Sequence, residues 1–189
     1  MAAAEIGGAP AMLRLIRQMS SILNRIAERN DVVVDAGARN SATIFDGSAR
    51  PAISVESYME RIFKYANCSP ACFVVAYVYL DRFVRRQPLI LISPFNVHRL
   101  IIASVLVSVK FMDDIYYSNG YYAKIGGISK AEMNLLELDF LFGIGFQLNV
   151  TPNTFHHYCS FLQAQMLLQF PPPLIASPSE SESDSSIDT

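Results

Sequence analysis

Residues 94–112, PFNVHRLIIASVLVSVKFM, decide how the rest of this chain can fold. Every residue over 100–109 is apolar or small, so a helix here is hydrophobic on all sides and belongs inside a bundle. The apolar run is ten residues long, whereas a membrane-spanning helix needs about 20. Ser93 before Pro94 is typical of a helix start, because the hydroxyl can cap and the proline lies where no N–H is needed. The stretch therefore predicts the buried central helix of an all-α domain.

Composition and charge narrow the class of protein. The 189 residues suffice for one domain with a full core, and 51% of them are hydrophobic while 17% are charged. The net charge of −2 gives no reason to expect a nucleic-acid or membrane-surface partner. The first residues, MAAAEIGGAPAM, lack the basic start and apolar run of a signal peptide, so we expect an intracellular protein. Cys68, Cys72 and Cys159 are odd in number and form no CxxC pair, which predicts reduced thiols in the core.

An amphipathic helix is predicted near the beginning of the chain, over about residues 12–29. Seven apolar residues recur there at helical spacing, and arginines occupy the rest of the cylinder. The apolar residues are Met12, Leu15, Ile16, Met19, Ile22, Leu23 and Ile26. The pattern is compatible with packing on the chain's own domain and with docking on a partner or a second copy. Residues 30–51 contain glycines and only brief apolar patches, so they predict a long connection.

A dense run of helix starts follows this connection. Ser54 can cap one helix, and the three further starts are Ser69-Pro70, the capping box at 129–132 and Thr151-Pro152. Residues 116–127 are expected to hold a short helical turn at most, closed by two glycines. No stretch alternates with a period of two residues, so no sheet is expected.

These signals divide the chain into three parts. Residues 1–51 are expected to form the first helix and its connection, and residues 52–169 a domain of five helices. Residues 170–189, FPPPLIASPSESESDSSIDT, are proline-rich, serine-rich and acidic, and they predict a disordered tail.

Several segments of this domain resemble the cyclin box. They are SYMERIFKYANCSPACFVVAYVYLDRF, VHRLIIASVLVSVKFMDD, YYAKIGGISKAEMNLLELDFL and FQLNV, and they occur in family order over roughly residues 45–162. Several co-ordered motifs are far more specific than one short pattern. They look closest to the P-type (U-type) cyclins of plants and their yeast relatives linked to phosphate signalling. The resemblance implies a single five-helix cyclin box built around its buried third helix.

The same resemblance implies a function. A cyclin is a non-catalytic regulatory subunit that binds and activates a cyclin-dependent protein kinase, here in cell division or nutrient (phosphate) signalling. No cofactor and no small-molecule ligand are expected, and the place of action is the nucleus, the cytoplasm or both. The alternative is an adaptor of the same fold that holds a non-kinase protein. An enzyme is not expected, because no nucleophile elbow or glycine-rich phosphate loop accompanies the chain's Ser, His and Asp residues.

The resemblance also marks residues for contact with the kinase. Lys110 and Glu137 match the family's lysine and glutamate that hydrogen-bond the kinase beside its mobile regulatory helix. A mutual surface salt bridge is the plain alternative, since opposite charges among apolar residues need each other, a partner or water. The apolar part of the interface corresponds to Val107, Phe111, Leu141, Phe146 and Leu148. Core packing is the alternative for these residues, above all for Val107 and Leu141.

Two positions of the domain are implied to be structural. Arg61 and Asp81 match a charged pair that ties the first helix of a cyclin box to the second, and a partly buried pair of this kind is costly to break from one side. One motif departs from the family. Many cell-cycle cyclins carry an MRxxLxxW-type substrate-recruiting motif on the first helix, but this helix reads YMERIFKYA and the chain has no tryptophan. Recruitment of substrates by that route is therefore not expected.

One cluster of possible metal ligands has a simple interpretation. His156, His157 and Cys159 are close in sequence, but adjacent residues point about 100° apart on a helix and no fourth ligand is near, so no metal site is expected.

The tail contains candidate phosphorylation sites. Ser177 precedes a proline, which suits a proline-directed kinase, and Ser179, Ser181 and Ser183 lie among acidic residues. Each phosphate would add about −1.5 to −2 charges. A solubilising tail without regulation is the alternative.

Overall fold

The computed structural model of the protein describes residues 9–35 and 43–169, and within these ranges the chain is helical without a strand. Its helices are α1 (Ala9–Asp35), α2 (Val55–Tyr65), α3 (Pro70–Arg86), α4 (Val97–Met112), α5 (Asn119–Gly126), α6 (Lys130–Gly143) and α7 (Pro152–Gln169). The all-α prediction is confirmed. The five strong helices expected in the domain are α2, α3, α4, α6 and α7.

Helix α4 lies at the centre of the bundle, as its apolar sequence predicts. Every residue over 100–109 is buried, and the helix packs against α2, α3, α5 and α6 and touches α1. The two serines inside this run, Ser104 and Ser108, donate to the carbonyls of Ile101 and Val105 at 2.8 Å. Their hydroxyls are therefore satisfied within the helix, and an all-apolar environment costs them little.

The start of α4 differs from the prediction. The helix begins at Val97, three residues after Pro94, and residues 94–96 form a turn. The Asn96 amide causes this shift: its Oδ1 accepts from the Ser93 N–H at 2.8 Å, and its Nδ2 donates to the Leu91 carbonyl at 2.9 Å. A side chain that binds two backbone groups of the preceding segment stabilises a turn there in place of a helical first turn.

The other helix starts agree with their sequence signals. The Ser54 hydroxyl accepts from the Ser57 N–H, and the Ser129 hydroxyl accepts from the Glu132 N–H, each at 3.1 Å. The Glu132 carboxylate does not return a bond to Ser129, because it pairs with Arg99 of α4. One half of the capping box thus serves to join α6 to the central helix.

The segment before α6 is more ordered than the sequence indicates. In place of a short turn, α5 runs for eight residues and ends at Gly127, which has φ +72°. That left-handed backbone is the stop that a glycine favours after a helix. Tyr122 of α5 is fully buried and donates its hydroxyl to the Ala66 carbonyl at 3.1 Å, which fixes α5 against the end of α2.

Helix α1 packs on the chain's own domain, which is the first of the two alternatives left open by its sequence. Its apolar residues from Met12 to Leu23 are at most 6% exposed, and the helix lies against α2 and α7. Arg17 pairs with Glu56 and Glu60 of α2 at 3.3 and 3.2 Å. The helix is longer than the predicted 12–29, and Ile26, assigned to its apolar face, is 37% exposed.

The connection after α1 is held to the domain at Phe45. This ring is 2% exposed and lies edge-on to the rings of Phe83 and Phe140, with centroids 5.2 and 6.4 Å apart. The brief apolar patch in an otherwise polar segment thus supplies a core residue. The predicted tail over 170–189 lies outside the described residues.

Candidate partner-binding surface

The C-terminal end of α4 and the middle of α6 bring Lys110 and Glu137 together. The Lys110 Nζ lies 2.7 Å from one carboxylate oxygen of Glu137, and the Asn119 Nδ2 of α5 donates to the other at 2.6 Å. The two charged side chains are 28% and 16% exposed. The pair therefore marks the point where three helices meet, at the edge of the core.

This geometry is the mutual salt bridge that the sequence left as the alternative to a partner contact. The two interpretations are compatible, because a lysine ammonium has three donors and a carboxylate has about four acceptor sites. The bridge uses one donor of Lys110 and one acceptor site of Glu137, and the Asn119 amide takes one more site of the carboxylate. The paired groups keep hydrogen-bonding capacity toward a molecule that covers them.

Two aromatic residues assigned to the interface are exposed to solvent. Phe111 follows Lys110 on the last turn of α4 and is 48% exposed, and Phe146 lies just beyond α6 and is 54% exposed. Leu141 and Leu148 are partly buried and pack against the core. We call Lys110, Phe111, Glu137, Leu141, Phe146 and Leu148 the α4–α6 surface.

Val107 does not belong to this surface. It is 3% exposed and part of the core, so it can support the surface from beneath but offers no area to a partner. For Val107 the structure therefore shows core packing, the alternative to partner contact.

The backbone holds Phe146 in an unusual conformation. Its φ is +54°, and Gly145 before it has φ +62°. The left-handed region is uncommon for a residue with a large side chain and is retained where the surrounding structure enforces it. Here the Phe146 N–H donates to the Leu141 carbonyl at 2.9 Å and a Cβ at Gly145 would lie 2.6 Å from the Arg86 guanidinium.

Helix α3 anchors the loop that follows. The Tyr79 hydroxyl donates to the Leu148 carbonyl at 2.7 Å, and the Arg82 guanidinium donates to the Asn149 carbonyl at 2.9 Å. These bonds join the loop carrying Phe146 to a central element of the fold. The exposed ring is thus presented by a fixed backbone rather than by a free loop.

Sequence reasoning missed a row of exposed apolar side chains on the outer face of α6. Leu135, Leu138 and Phe142 are 53%, 48% and 64% exposed and follow one another at intervals of three and four residues. The Phe142 ring lies edge-on to that of Phe146, with centroids 5.1 Å apart. The sequence did contain a signal for this row. Residues 135–142, LLELDFLF, place apolar side chains around most of the helix, and packing against α4 can cover only one face of it.

The Arg61–Asp81 pair is not formed, which corrects the prediction. Among the described residues, the Asp81 carboxylate binds Arg85, one turn further along α3, at 2.7 Å and accepts from the Tyr158 hydroxyl at 2.5 Å. The Arg61 guanidinium instead lies over the Tyr58 ring of its own helix, 5.1 Å from the centroid. With its carboxylate already occupied, Asp81 ties α3 to α7 rather than to α2.

The His156, His157 and Cys159 positions are not brought together. Cys159 is 2% exposed and faces the core, whereas both histidines are exposed. In the part of the chain that the structure describes, no group of three or more His, Cys, Asp or Glu side chains is arranged to hold a metal ion. Over the same residues, none of the helices has the length and apolar character that crossing a membrane requires. The tail serines Ser177, Ser179, Ser181 and Ser183 lie outside the described residues.

Comparison with known proteins shows the family to which the chain belongs. The family model for cyclins matches residues 13–148 of the chain. The chain is 58% identical to Cyclin-U4-1 of Arabidopsis thaliana over 177 residues, which cover 93% of the chain and 88% of that protein. It is 53% identical to Cyclin-P4-1 of Oryza sativa subsp. japonica over 174 residues, which cover 90% of the chain and 82% of that protein.

A third relative, Cyclin-U3-1 of Arabidopsis thaliana, is 44% identical over 151 residues, which cover 80% of the chain and 68% of that protein. The segment that the cyclin family model matches runs from α1 to the loop beyond α6 and includes every residue of the α4–α6 surface. The resemblance to the P-type and U-type cyclins of plants is thereby confirmed. This all-α chain belongs to the cyclin family.

Proposed function

We propose that this cyclin binds a cyclin-dependent protein kinase through the α4–α6 surface and activates it. The observation that carries the proposal is that α4 and α6, which are joined by the Lys110–Glu137 bridge, each end in an exposed aromatic side chain, Phe111 on the last turn of α4 and Phe146 just beyond α6. Buried aromatic anchors dominate the energy of protein interfaces, and exposed apolar side chains that cluster on a soluble domain mark such interfaces.

The charged pair suits a partner with both donors and acceptors. Because Lys110 and Glu137 are already joined, binding does not require either charge to be buried alone, which is the costly case. Each group can add a bond to backbone or side-chain groups of the kinase that cover the bridge. Such contacts contribute more to orientation than to affinity.

Activation follows from selective binding to one state of the kinase. A protein kinase is active when its own lysine–glutamate pair is formed, and that pair depends on the position of its regulatory helix. A partner shifts this equilibrium only by its differential affinity for the active state. The fixed backbone under Phe146 supports this role, because a rigid anchor favours the kinase conformation whose surface fits it.

This chain supplies no group to the chemical step under this proposal. Phosphoryl transfer belongs to the kinase, and the cyclin acts as a non-catalytic regulatory subunit. Its resemblance to P-type and U-type cyclins supports a role in cell division or nutrient (phosphate) signalling. The free state of Cys68, Cys72 and Cys159 supports action in the nucleus, the cytoplasm or both, where thiols stay reduced.

The test is a set of dissociation constants against a panel of cyclin-dependent kinases. Wild type is compared with the Lys110→Ala/Glu137→Ala double variant and with Phe146→Ala. Leu89→Ala is the matched control, since Leu89 is 73% exposed and lies after α3, outside the α4–α6 surface. Circular dichroism checks that each variant is folded.

We expect wild type and the Leu89 variant to bind one kinase equally and to raise its activity. Loss of a central anchor costs at least about 2 kcal/mol, so the other variants are expected to bind roughly 30-fold or more weakly. Equal binding by all four proteins would place the kinase elsewhere on the cyclin. Binding of no kinase by wild type would favour the adaptor.

A further inference from the structure

Three tyrosines meet where the end of α2 lies against α5. The Tyr121 hydroxyl of α5 donates to the carbonyl of Tyr65, the last residue of α2, at 2.9 Å. The rings of Tyr117 and Tyr121 lie together, with centroids 4.2 Å apart. Tyr65 and Tyr117 are 47% and 44% exposed, whereas Tyr121 is partly buried and packs against the core. We call Tyr65, Tyr117 and Tyr121 the tyrosine patch.

Two lysines accompany the tyrosine patch. The Lys64 ammonium lies over the Tyr65 ring, 5.2 Å from its centroid. Lys124 is exposed on α5 three residues after Tyr121, and residues at this spacing are neighbours on one face of a helix. Among the described residues, neither lysine forms a salt bridge with a carboxylate. A segment that combines a stiff apolar part with acidic residues therefore fits this surface.

We propose that the tyrosine patch binds the chain's own tail, residues 170–189. The tail has four prolines among its first nine residues, at positions 171–173 and 178, followed by four acidic residues and no Lys, Arg or His. Consecutive prolines favour the polyproline II helix, which aromatic-lined surfaces recognise because it loses little entropy on binding. The tyrosine rings pack against the prolines, and the acidic residues beyond Pro178 suit Lys64 and Lys124.

The tail is long enough to reach the patch. It follows α7, and that helix packs on α3 through Tyr158 and Phe161, whose ring centroids lie 6.1 and 6.4 Å from that of Tyr77. Helix α3 begins five residues after Tyr65, and its 17 residues make it about 26 Å long. A polyproline II segment advances about 3.1 Å per residue, so the nine residues 170–178 cover about 28 Å. This stretch alone spans the whole of α3.

Attachment to the same chain favours the docked state. A tethered segment is present at an effective concentration of about a millimolar when its linker is short, so individually weak contacts suffice to hold it. The sequence predicts a tail that cannot build a core of its own, and docking on a folded surface requires none. The exposed rings of the patch are covered in this way without a second protein.

Tryptophan fluorescence of the full chain tests the docking, because the chain has no tryptophan of its own. Ile175→Trp places a single probe two residues after the three consecutive prolines, and Ile187→Trp places one outside the proline-rich part of the tail. We expect the probe at position 175 to emit at a shorter wavelength than the probe at position 187. Its quenching by acrylamide should also be slower, because the patch shields it from solvent.

Variants of the patch show whether the probe is shielded there. In the Ile175→Trp chain, Tyr65→Ala and Tyr117→Ala should each lower the ratio of docked to free tail roughly fivefold, the value of one aromatic contact. Alanine at positions 171–173 should release the probe as well. Leu89→Ala is the matched control, because Leu89 is 73% exposed and lies beyond the opposite end of α3 from Tyr65. Circular dichroism checks that each variant is folded.

Proteolysis gives a second measurement that needs no probe in the tail. A glutamate-specific protease cuts after Glu180 and Glu182, and mass spectrometry of the otherwise unchanged chain follows these two cuts. We expect both cuts to be slower in wild type than in the Tyr65→Ala/Tyr117→Ala double variant, because the docked tail is held away from the protease.

Three results would overturn the proposal. Equal quenching of the two probes, together with equal cleavage of wild type and the double variant, would show that the tail is free and leave the patch to another partner. A shielded probe that neither tyrosine variant releases would place the tail elsewhere on the domain. Shielding that increases with protein concentration would assign the patch to the tail of a second copy.

Discussion

Replacing Phe146 by glycine should leave a more stable protein than replacing it by alanine. The reason is the backbone, because residue 146 has φ +54°, a region that L-residues with a Cβ occupy only at a cost. Both substitutions remove the same half-exposed ring and its edge contact with Phe142, so those losses cancel in the comparison. The difference in the free energy of unfolding between the two variants therefore isolates the cost of the left-handed backbone at residue 146.

The size of this difference can be worked out from two opposing terms. A left-handed residue with a Cβ costs roughly 1–2 kcal/mol, which glycine avoids. Glycine also loses more chain entropy on folding, which lowers its advantage by about 0.4–1 kcal/mol. With the middle of each range, the free energy of unfolding should therefore be about 0.8 kcal/mol higher for the glycine variant. For a chain of this length, that corresponds to a difference in Tm of about 1–4 °C.

Leu138 provides the matched control for this measurement. It is 48% exposed, like Phe146, but lies inside α6, where glycine is about 1 kcal/mol less stable than alanine. The order of the two variants should therefore be reversed between the two sites. Urea unfolding followed by circular dichroism measures all four proteins. Alanine more stable than glycine at both sites would show that residue 146 does not need its left-handed backbone, and would refute the reasoning.

Three further predictions concern the stability of the fold. Gly143→Ala should lower the free energy of unfolding by about 1–3 kcal/mol, because the added Cβ would collide with the buried Phe83 ring of α3. Gly120→Ala is the control and should not lower the free energy of unfolding, because the nearest atom to its added Cβ lies at 3.5 Å. Urea unfolding compares the two variants. Burial and the Asp81 contact raise the pKa of Tyr158 to about 12, so the native state resists losing the phenol proton. The unfolded state loses this proton near pH 10, so the free energy of unfolding should fall between about pH 10 and 12. The fall should be less steep in Tyr158→Phe, and unfolding followed by circular dichroism measures both proteins. Burial lowers the pKa of His98, so the unfolded state takes up a proton that the native state resists; the urea midpoint should fall as the pH drops below about 6.5, and a constant midpoint would contradict this.

Most of the helical framework could be predicted from local sequence. The serine caps at Ser54 and Ser129 act through groups within three residues of each other, so neighbouring residues suffice to identify them. The start of α4 could not be placed in this way. There the Asn96 amide bonds the backbone of Leu91 and Ser93 before it and also reaches Asp46, fifty residues earlier, at 3.2 Å.

The candidate site was predicted in part. Family motifs assigned Lys110, Glu137, Phe111 and Phe146 to the interface, and in the structure the two charged side chains are paired while both aromatic rings are about half exposed. Partner contact by these residues stays a prediction. Val107 shows the limit of prediction from sequence, because a valine in an apolar helix has the same local pattern whether it faces a partner or, as here, the core.

The ion pairs show the same limit. The sequence offers Asp81 two arginine partners, Arg61 and Arg85, and only the packed structure decides which of them it binds. It binds Arg85 and the hydroxyl of Tyr158, 77 residues later in the chain. A charged side chain takes the nearest available partner, and nearness across helices is a property of the packing.

The amino-acid sequence by itself determined the class of fold, the central helix and most helix starts, because hydrophobic periodicity and capping act over a few residues. Only the tertiary structure decided which apolar residues face outward, as α6 shows, where Leu136 and Phe140 are buried while Leu138 and Phe142 are exposed. It also decided that Phe146 is left-handed and that the Ser69 N–H donates to the Asp113 carboxylate, which connects the start of α3 to the end of α4. These features depend on groups distant in sequence that meet only when the helices pack, and packing is set by all the helices together.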